Sequence, residues 1–236
     1  KKEKFTNPKQ RINIYVINLD RERQKFNLVK KDLDKNNYNY TRFSAIDGKA
    51  ILPNDNTLKK FFGNYKVKYS NGQKCCSISH LSVWIKISQN NTKYNIIIED
   101  DVILPKNLYQ KINNCMKQLP KDWDFLFLGG NKIIGTRYSK NIIKPLKKAN
   151  KNKKVDGNYG TFAYVINSKN IKSIINDSKK LTEHIDVHIQ FKLGKKYKIF
   201  FTSPQIIKHN YNSISSIQSR NRKHETIKRN LIRIID

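Results

Sequence analysis

The sequence predicts a one-domain α/β protein, and three observations carry that expectation. Ile12 to Leu19, INIYVINL, is a strand-like apolar run that ends in Asn18, Leu19, Asp20 and Arg21 and passes into a helical spacing at Phe26, Leu28, Val29 and Leu33. Tyr94 to Pro105, YNIIIEDDVILP, is a second run, rich enough in Ile to be buried on both faces, and it stops on Glu99, Asp100 and Asp101. Between and beyond these two runs, strand and helix patterns alternate, as they do where helices cover a sheet. A chain of 236 residues is long enough to bury a sizeable core in this way.

In order, residues 1 to 10 form a polar, basic lead, residues 11 to 214 the folded domain and residues 215 to 236 a basic helix or linker. Tyr38 to Ile46 alternates as a strand and closes on the turn pair Asp47-Gly48. Gly72 to Asn90 reads as a mostly buried helix through Cys76, Ile78, Leu81, Val83, Trp84, Ile85 and Ile87, with Ser77, Ser79 and His80 interrupting it. Leu108 to Leu119 is a helix stopped by Pro120, and Asp122 to Gly130 is a short buried strand closed by paired glycines. Residues 131 to 154 read as a Lys-rich loop. Asp156 to Asn167 places Gly157 and Gly160 before a strand, where they would let a ligand approach the backbone. Ser168 is the expected N-cap of the next helix. His184 to Gly194 carries Asp186 and His188, and Tyr197 to Thr202 is the final strand, followed by a polar stretch containing His209.

The acidic triplet is the chemically informative feature. Open α/β sheets place ligands beyond the carboxyl ends of their strands, and Glu99, Asp100 and Asp101 stand at such an end. Three adjacent carboxylates repel one another unless a cation intervenes, and an all-oxygen set favours Mg²⁺ or Mn²⁺. A solvated turn explains an isolated triplet equally well. No glycine-rich loop follows the first strand, which excludes a dinucleotide fingerprint and a P-loop.

The formal net charge of +30 suggests a polyanionic partner, from nucleic acid to a nucleotide diphosphate. The excess is mostly Lys and accompanies abundant Asn and Ile, so codon bias is an alternative source of it. A basic nucleic-acid-binding protein, or a nuclease using Glu99 to Asp101, is therefore the competing class, although no helix-turn-helix, zinc finger or aromatic-basic repeat is visible. Cys75, Cys76 and Cys115 make no even framework and no CxxC spacing, which suits small buried thiols. No run approaches a membrane span and no signal segment is visible. These features point to the cytoplasm. The chain begins with Lys, as a processed or excised piece would, so an upstream targeting segment or a larger parent chain is also compatible.

Seven stretches in order, VINLDRERQKF, RFSAIDG, CSISHLSVW, IIIEDDV, DWDFLFLG, GTFAYVIN and the segment around Asp186, resemble glycosyltransferase family 25, which includes lipooligosaccharide and procollagen hydroxylysine galactosyltransferases. The resemblance implies a GT-A-type fold, a Rossmann-like mixed sheet flanked by helices. It also implies a UDP-sugar donor, usually Mn²⁺, and a glycan or hydroxylysine acceptor. On that basis Asp101 is the expected metal ligand, with Glu99 and His209 beside it. Asn18, Leu19, Asp20, Asp47, Glu99, Asp100 and His80 are expected around the donor, and Asp186 is the expected base of an inverting transfer. The chain departs from the family in having Gln73 and Cys75 where Glu and Gly usually precede the Cys-x-x-Ser-His segment. An inactive domain of this fold, used for interaction, is a third reading.

Overall fold

The computed structural model describes residues 12–51, 58, 61–62, 69–146 and 157–210, together with the backbone of 232–234. The chain opens with strand β1 (Ile12–Asn18), helix α1 (Arg23–Lys35) and strand β2 (Tyr40–Ser44). Helix α2 (Asn71–Ser88) leads into β3 (Tyr94–Glu99), the two-residue β4 (Val102–Ile103) and α3 (Leu108–Met116). Then come β5 (Phe125–Phe127), the hairpin β6 (Ile133–Ser139) and β7 (Ile142–Pro145), β8 (Ala163–Asn167) and α4 (Ile171–Asp177). The described elements end with α5 (Ile185–Val187), β9 (Ile199–Thr202), β10 (Lys208–His209) and β11 (Ile232–Ile234).

Among the described residues, nine strands form one mixed sheet in the order β11-β6-β7-β9-β5-β8-β3-β1-β2. Strands β2, β1 and β3 are parallel, so Asn18 pairs with Ser44 and Ile17 with Glu99, and their carboxyl ends meet at one edge of the sheet. Strand β8 then runs antiparallel to both β3 and β5. Successive side chains on a strand point to opposite faces. Ile12, Ile14, Val16, Ile96 and Ile98 accordingly join one core with Val29 and Leu33 of α1 and Leu108 and Ile112 of α3. Tyr15, Ile17 and Ile97 join the other, with Leu81, Trp84 and Ile87 of α2 and Ile171 and Ile174 of α4. Both faces of β3 are therefore covered, as its unbroken Ile run predicts. Each of Ile96, Ile97 and Ile98 is fully buried, a contribution of roughly 1.5–3 kcal/mol apiece. The helices flanking a mixed sheet give the α/β architecture expected of the chain.

Four expectations change. Residues 131–154 are not simply a loop. Their first part is the β6–β7 hairpin, which Ile133, Ile142 and Ile143 anchor by burying completely in the sheet, and residues 147–154 lie outside the described residues. Ser168 does not cap a helix. Asn167 caps the turn, accepting from Lys169 N, while the Ser168 hydroxyl donates to Thr92 O. Ile85 faces solvent, because it lies on the side of α2 away from the sheet. Residues 232–234, expected within a basic helix or linker, form a strand parallel to β6, while 215–231 lie outside the described residues, as does the lead. No described helix is long and apolar enough to cross a membrane.

Gly129, just after β5, lies tightly against the segment that leads into β10. Ile206 N and Ile207 N both donate to Leu128 O, at 2.8 and 3.0 Å. A Cβ at Gly129 would lie 2.3 Å from Ile207 O and 2.6 Å from the Phe162 ring. Gly129→Ala is therefore expected to destabilise the fold by about 1–3 kcal/mol, read as a lowered midpoint of denaturant unfolding, and to displace His209.

Candidate active site

Two cavities of about 300 and 320 Å³ open where β1 and β3 end, and Glu99 and Cys76 line both. Each is at the lower end of the size range of small-molecule sites. Asn18, Leu19, Asp47, Asp100 and Asp101 line the first, together with three cations that sequence reasoning missed, Arg21, Lys25 and Lys49. Asp186, Gln73, Thr161 and His209 line the second. Arg21 and Lys25 follow the carboxyl end of β1 directly and Lys49 follows the Asp47-Gly48 turn. That position, rather than residue type, is the signal that could have found them in a chain so rich in Lys.

Helix α2 holds the parts in register through residues that look out of place in a buried helix. Ser79 accepts from Ile46 N at 2.9 Å, beside Asp47, and Ser77 accepts from Ile185 N at 3.1 Å, beside Asp186. Each hydroxyl donates to a carbonyl of its own helix, Cys75 O and Gln73 O, so neither is left unsatisfied by burial. The helix starts in a capping box: Ser70 Oγ accepts from Gln73 N, and the Gln73 side chain accepts from Ser70 N. Glu or Gln serves equally there, so the departure at Gln73 keeps the helix start. Cys75 packs in a small core with Leu58 and Ile78.

Asp100 Oδ2 accepts from Asn18 Nδ2 at 2.6 Å. Burial pushes the Asp100 carboxyl up to about 6 against the lowering effect of that hydrogen bond, and Asp101 and Glu99 push the same way as burial. The Arg21 guanidinium donates to Asp47 at 2.6 Å and holds that carboxyl below the usual range. Two expected donor-side residues are elsewhere. Asp20 lines neither cavity; its exposed carboxylate accepts from Ser44 and Arg42, both at 2.6 Å, which hold it on the solvent side. His80 is fully buried and lines neither cavity; it faces Tyr164 and Glu99 instead. Glu99 Oε1 accepts from Thr161 Oγ1 at 3.0 Å, a partner the sequence did not indicate.

His209 reaches the acidic turn because β10 pairs antiparallel with β4, setting His209 opposite Val102, and Asn210 N donates to Asp101 O at 2.7 Å. His209 Nε2 then lies 3.0 Å from Asp101 Oδ2, while Asp101 Oδ1 is buried and accepts no hydrogen bond among the described residues. A carboxylate and an imidazole that meet beside a buried oxygen lacking a donor fit a divalent cation, and Mn²⁺ accepts such a mixed set. The structure pairs Asp101, rather than Glu99, with His209. In the second cavity Asp186 is fixed by the backbone, Oδ2 accepting from Gly160 N at 3.1 Å and Oδ1 from Val187 N at 2.8 Å. Gly160, at φ +96°, adopts a conformation that other residues reach only with strain.

His188, two residues on, is structural. Its Nε2 lies 3.0 Å from Ser178 Oγ, which donates to Ile174 O and so accepts from the ring. Burial pushes the His188 ring down from its ordinary 6.5 to about 4. Between those values the unfolded chain binds the proton and the folded chain does not. Stability is therefore full above about 6.5 and falls by about 3 kcal/mol as the pH drops to about 4. Urea unfolding at several pH values should show this slope, and His188→Gln should flatten it.

The sequence model of glycosyltransferase family 25 (LPS biosynthesis protein) matches residues 11–189. The chain belongs to glycosyltransferase family 25. Procollagen galactosyltransferase 2 of Mus musculus is 25% identical over 177 residues, which are 69% of this chain and 27% of that protein. Lipooligosaccharide biosynthesis protein lic2B of Haemophilus influenzae is 27% identical over 164 residues, 68% of this chain and 61% of that one. A protein of Acanthamoeba polyphaga mimivirus described as a glycosyltransferase is 29% identical over 135 residues, 54% of this chain and 41% of that protein. The matched stretch thus spans less than two thirds of each of these three relatives. Among solved structures, a glycosyltransferase involved in glycosylating the major capsid of PBCV-1 aligns at a TM-score of 0.47 and 8% identity, covering 86% of this chain and 94% of that one.

Proposed function

We propose that this chain is a metal-dependent hexosyltransferase domain that moves galactose or glucose from a UDP-sugar to a hydroxyl of a glycan or a hydroxylysine-containing protein, with inversion. The observation that carries this reading is the junction of two cavities at Glu99, one edged by cations and the acidic turn, the other holding a fixed carboxylate. In the first cavity, Arg21, Lys25 and Lys49 can meet a diphosphate, and Asn18, Leu19 and Asp47 can meet the nucleoside. Asp101 and His209 would hold Mn²⁺ or Mg²⁺, which when bound supplies charge stabilisation to the departing diphosphate.

The acceptor enters the second cavity. Its oxygen forms a bond to the anomeric carbon as the bond from that carbon to the β-phosphate oxygen breaks, and the UDP leaves with the electron pair. The hydroxyl proton passes to Asp186, whose backbone hydrogen bonds fix where its oxygens stand. The procollagen and lipooligosaccharide relatives support the choice of acceptor classes and of a hexose.

Thermal unfolding with UDP and Mn²⁺ together, with each alone, and with an oligonucleotide tests the reading. Stabilisation that needs both nucleotide and metal is expected, followed by hydrolysis of one member of a UDP-sugar panel. A salt-sensitive response to any polyanion, with no preference for UDP, would favour the nucleic-acid class instead.

A further inference from the structure

His80 is absent from both cavity walls, yet it belongs to a fully buried polar chain that ends at the cavity junction. Trp84 Nε1 donates to Tyr164 Oη at 2.9 Å, and Tyr164 Oη lies 3.0 Å from His80 Nδ1. His80 Nε2 lies 3.4 Å from Glu99 Oε1 and makes no hydrogen bond to any described residue. Trp84, Tyr164 and His80 are each entirely shielded from solvent. Cys76 stands beside the last two members of the chain, its thiol within 4.8 Å of the His80 nitrogen and the Glu99 carboxylate.

The donors and acceptors along this chain fix where the protons sit. An indole nitrogen only donates, so Tyr164 oxygen accepts from Trp84. Tyr164 has one proton to give, and among the described residues its other partner is His80 Nδ1. With Nδ1 as the acceptor, the imidazole carries its hydrogen on Nε2, aimed at Glu99. The opposite tautomer would leave the Tyr164 hydroxyl proton buried without an acceptor, at a cost of roughly 1–3 kcal/mol. Glu99 Oε1 then accepts from Thr161 Oγ1 and has the ring's Nε2 hydrogen facing it across 3.4 Å, and neither contact uses Oε2. The 3.4 Å contact is loose for a hydrogen bond, as such contacts often are before a ligand is bound.

We propose that His80 is a positioning residue: with its hydrogen on Nε2, it anchors Glu99 through Oε1 so that Oε2 accepts a hydrogen bond from a hydroxyl of the transferred sugar. This role rests on the transferase reading above and adds to it the residue that grips the sugar. The same three side chains could instead take a soft metal ion. That would require the Nε2 lone pair, so the two outcomes exclude each other.

The deciding experiment is nitrogen-15 NMR of the imidazole rings in the unmodified protein at neutral pH, with His80 assigned by loss of its signals in His80→Gln. A protonated Nε2 with an unprotonated Nδ1 is expected, and Tyr164→Phe should mix the tautomers. A protonated Nδ1 in the unmodified protein overturns the proposal. So does a thiolate-to-cobalt absorption band that appears with Co²⁺ and vanishes in Cys76→Ser, since it would mark a metal site. In His80→Phe, UDP affinity with Mn²⁺ should stay within about twofold while UDP-galactose turnover falls about 10- to 100-fold, with partial rescue in His80→Gln, whose amide can still donate to Oε1. Normal turnover in His80→Phe, or a UDP affinity that falls in step with turnover, also overturns it. If the unmodified protein fails to bind UDP with Mn²⁺, the broader function fails, and the NMR result still decides where the His80 proton sits.

Discussion

Asp101→Ala is expected to reduce UDP-sugar turnover by about 10²- to 10³-fold and to abolish stabilisation by Mn²⁺. The fold should survive. The acidic turn stays tied to β10 by the pairing of β4 with β10 and by Asn210 N donating to the Asp101 backbone oxygen, while only the side-chain contact with His209 is lost. Without metal the variant should be about as stable as the parent, because the loss of the His209 contact is offset by the removal of one of three crowded acids. Asp100, pushed up to about 6 by burial and by Asp101 and Glu99, should then titrate closer to an ordinary carboxyl. Thermal unfolding with and without Mn²⁺, alongside donor hydrolysis, separates the two effects. Unimpaired turnover would remove Asp101 from the metal site.

The layered sheet was legible because its strongest strands announce themselves locally. β1 and β3 are apolar on both faces, and α2 interrupts them with helical spacing, so local periodicity and tertiary burial agree. The β6–β7 hairpin was not legible, since the polar residues Thr136, Arg137 and Ser139 in the second half of β6 resemble a loop. Only pairing with β9 and β11, both distant in sequence, makes it a strand pair.

The site divides along the same line. Residues at the end of a readable strand, Asn18, Glu99, Asp100 and Asp101, could be placed from sequence because the sheet dictates where such ends point. His209 reaches Asp101 through a two-residue pairing of β10 with β4, a register no local pattern encodes. His80, absent from both cavity walls, shows the opposite limit. The sequence puts it on a helix beside the acidic strand, but only the packing of Tyr164 and Trp84 shows that the ring lies behind the cavity wall. Asp20 shares the turn with Asn18, and the choice between cavity and solvent came from Arg42 and Ser44 on β2.

Asp186→Asn is the second large effect, with a turnover loss of about 10²- to 10⁴-fold expected at nearly unchanged UDP affinity. The substitution keeps the shape but leaves one oxygen where two now accept, one from Gly160 N and one from Val187 N. Losing one acceptor costs about 1–3 kcal/mol, so some fall in stability is expected on any reading of this residue. The diagnostic quantity is therefore the ratio of effects. A proton acceptor predicts a kinetic loss with UDP binding preserved, because the cavity proposed to take the nucleoside is not lined by Asp186. A purely structural Asp186 predicts that UDP affinity and stability fall together as Gly160 shifts, with turnover per bound donor retained. Single-turnover hydrolysis of UDP-galactose at saturating enzyme separates these outcomes, since it reads chemistry independently of how much donor is bound.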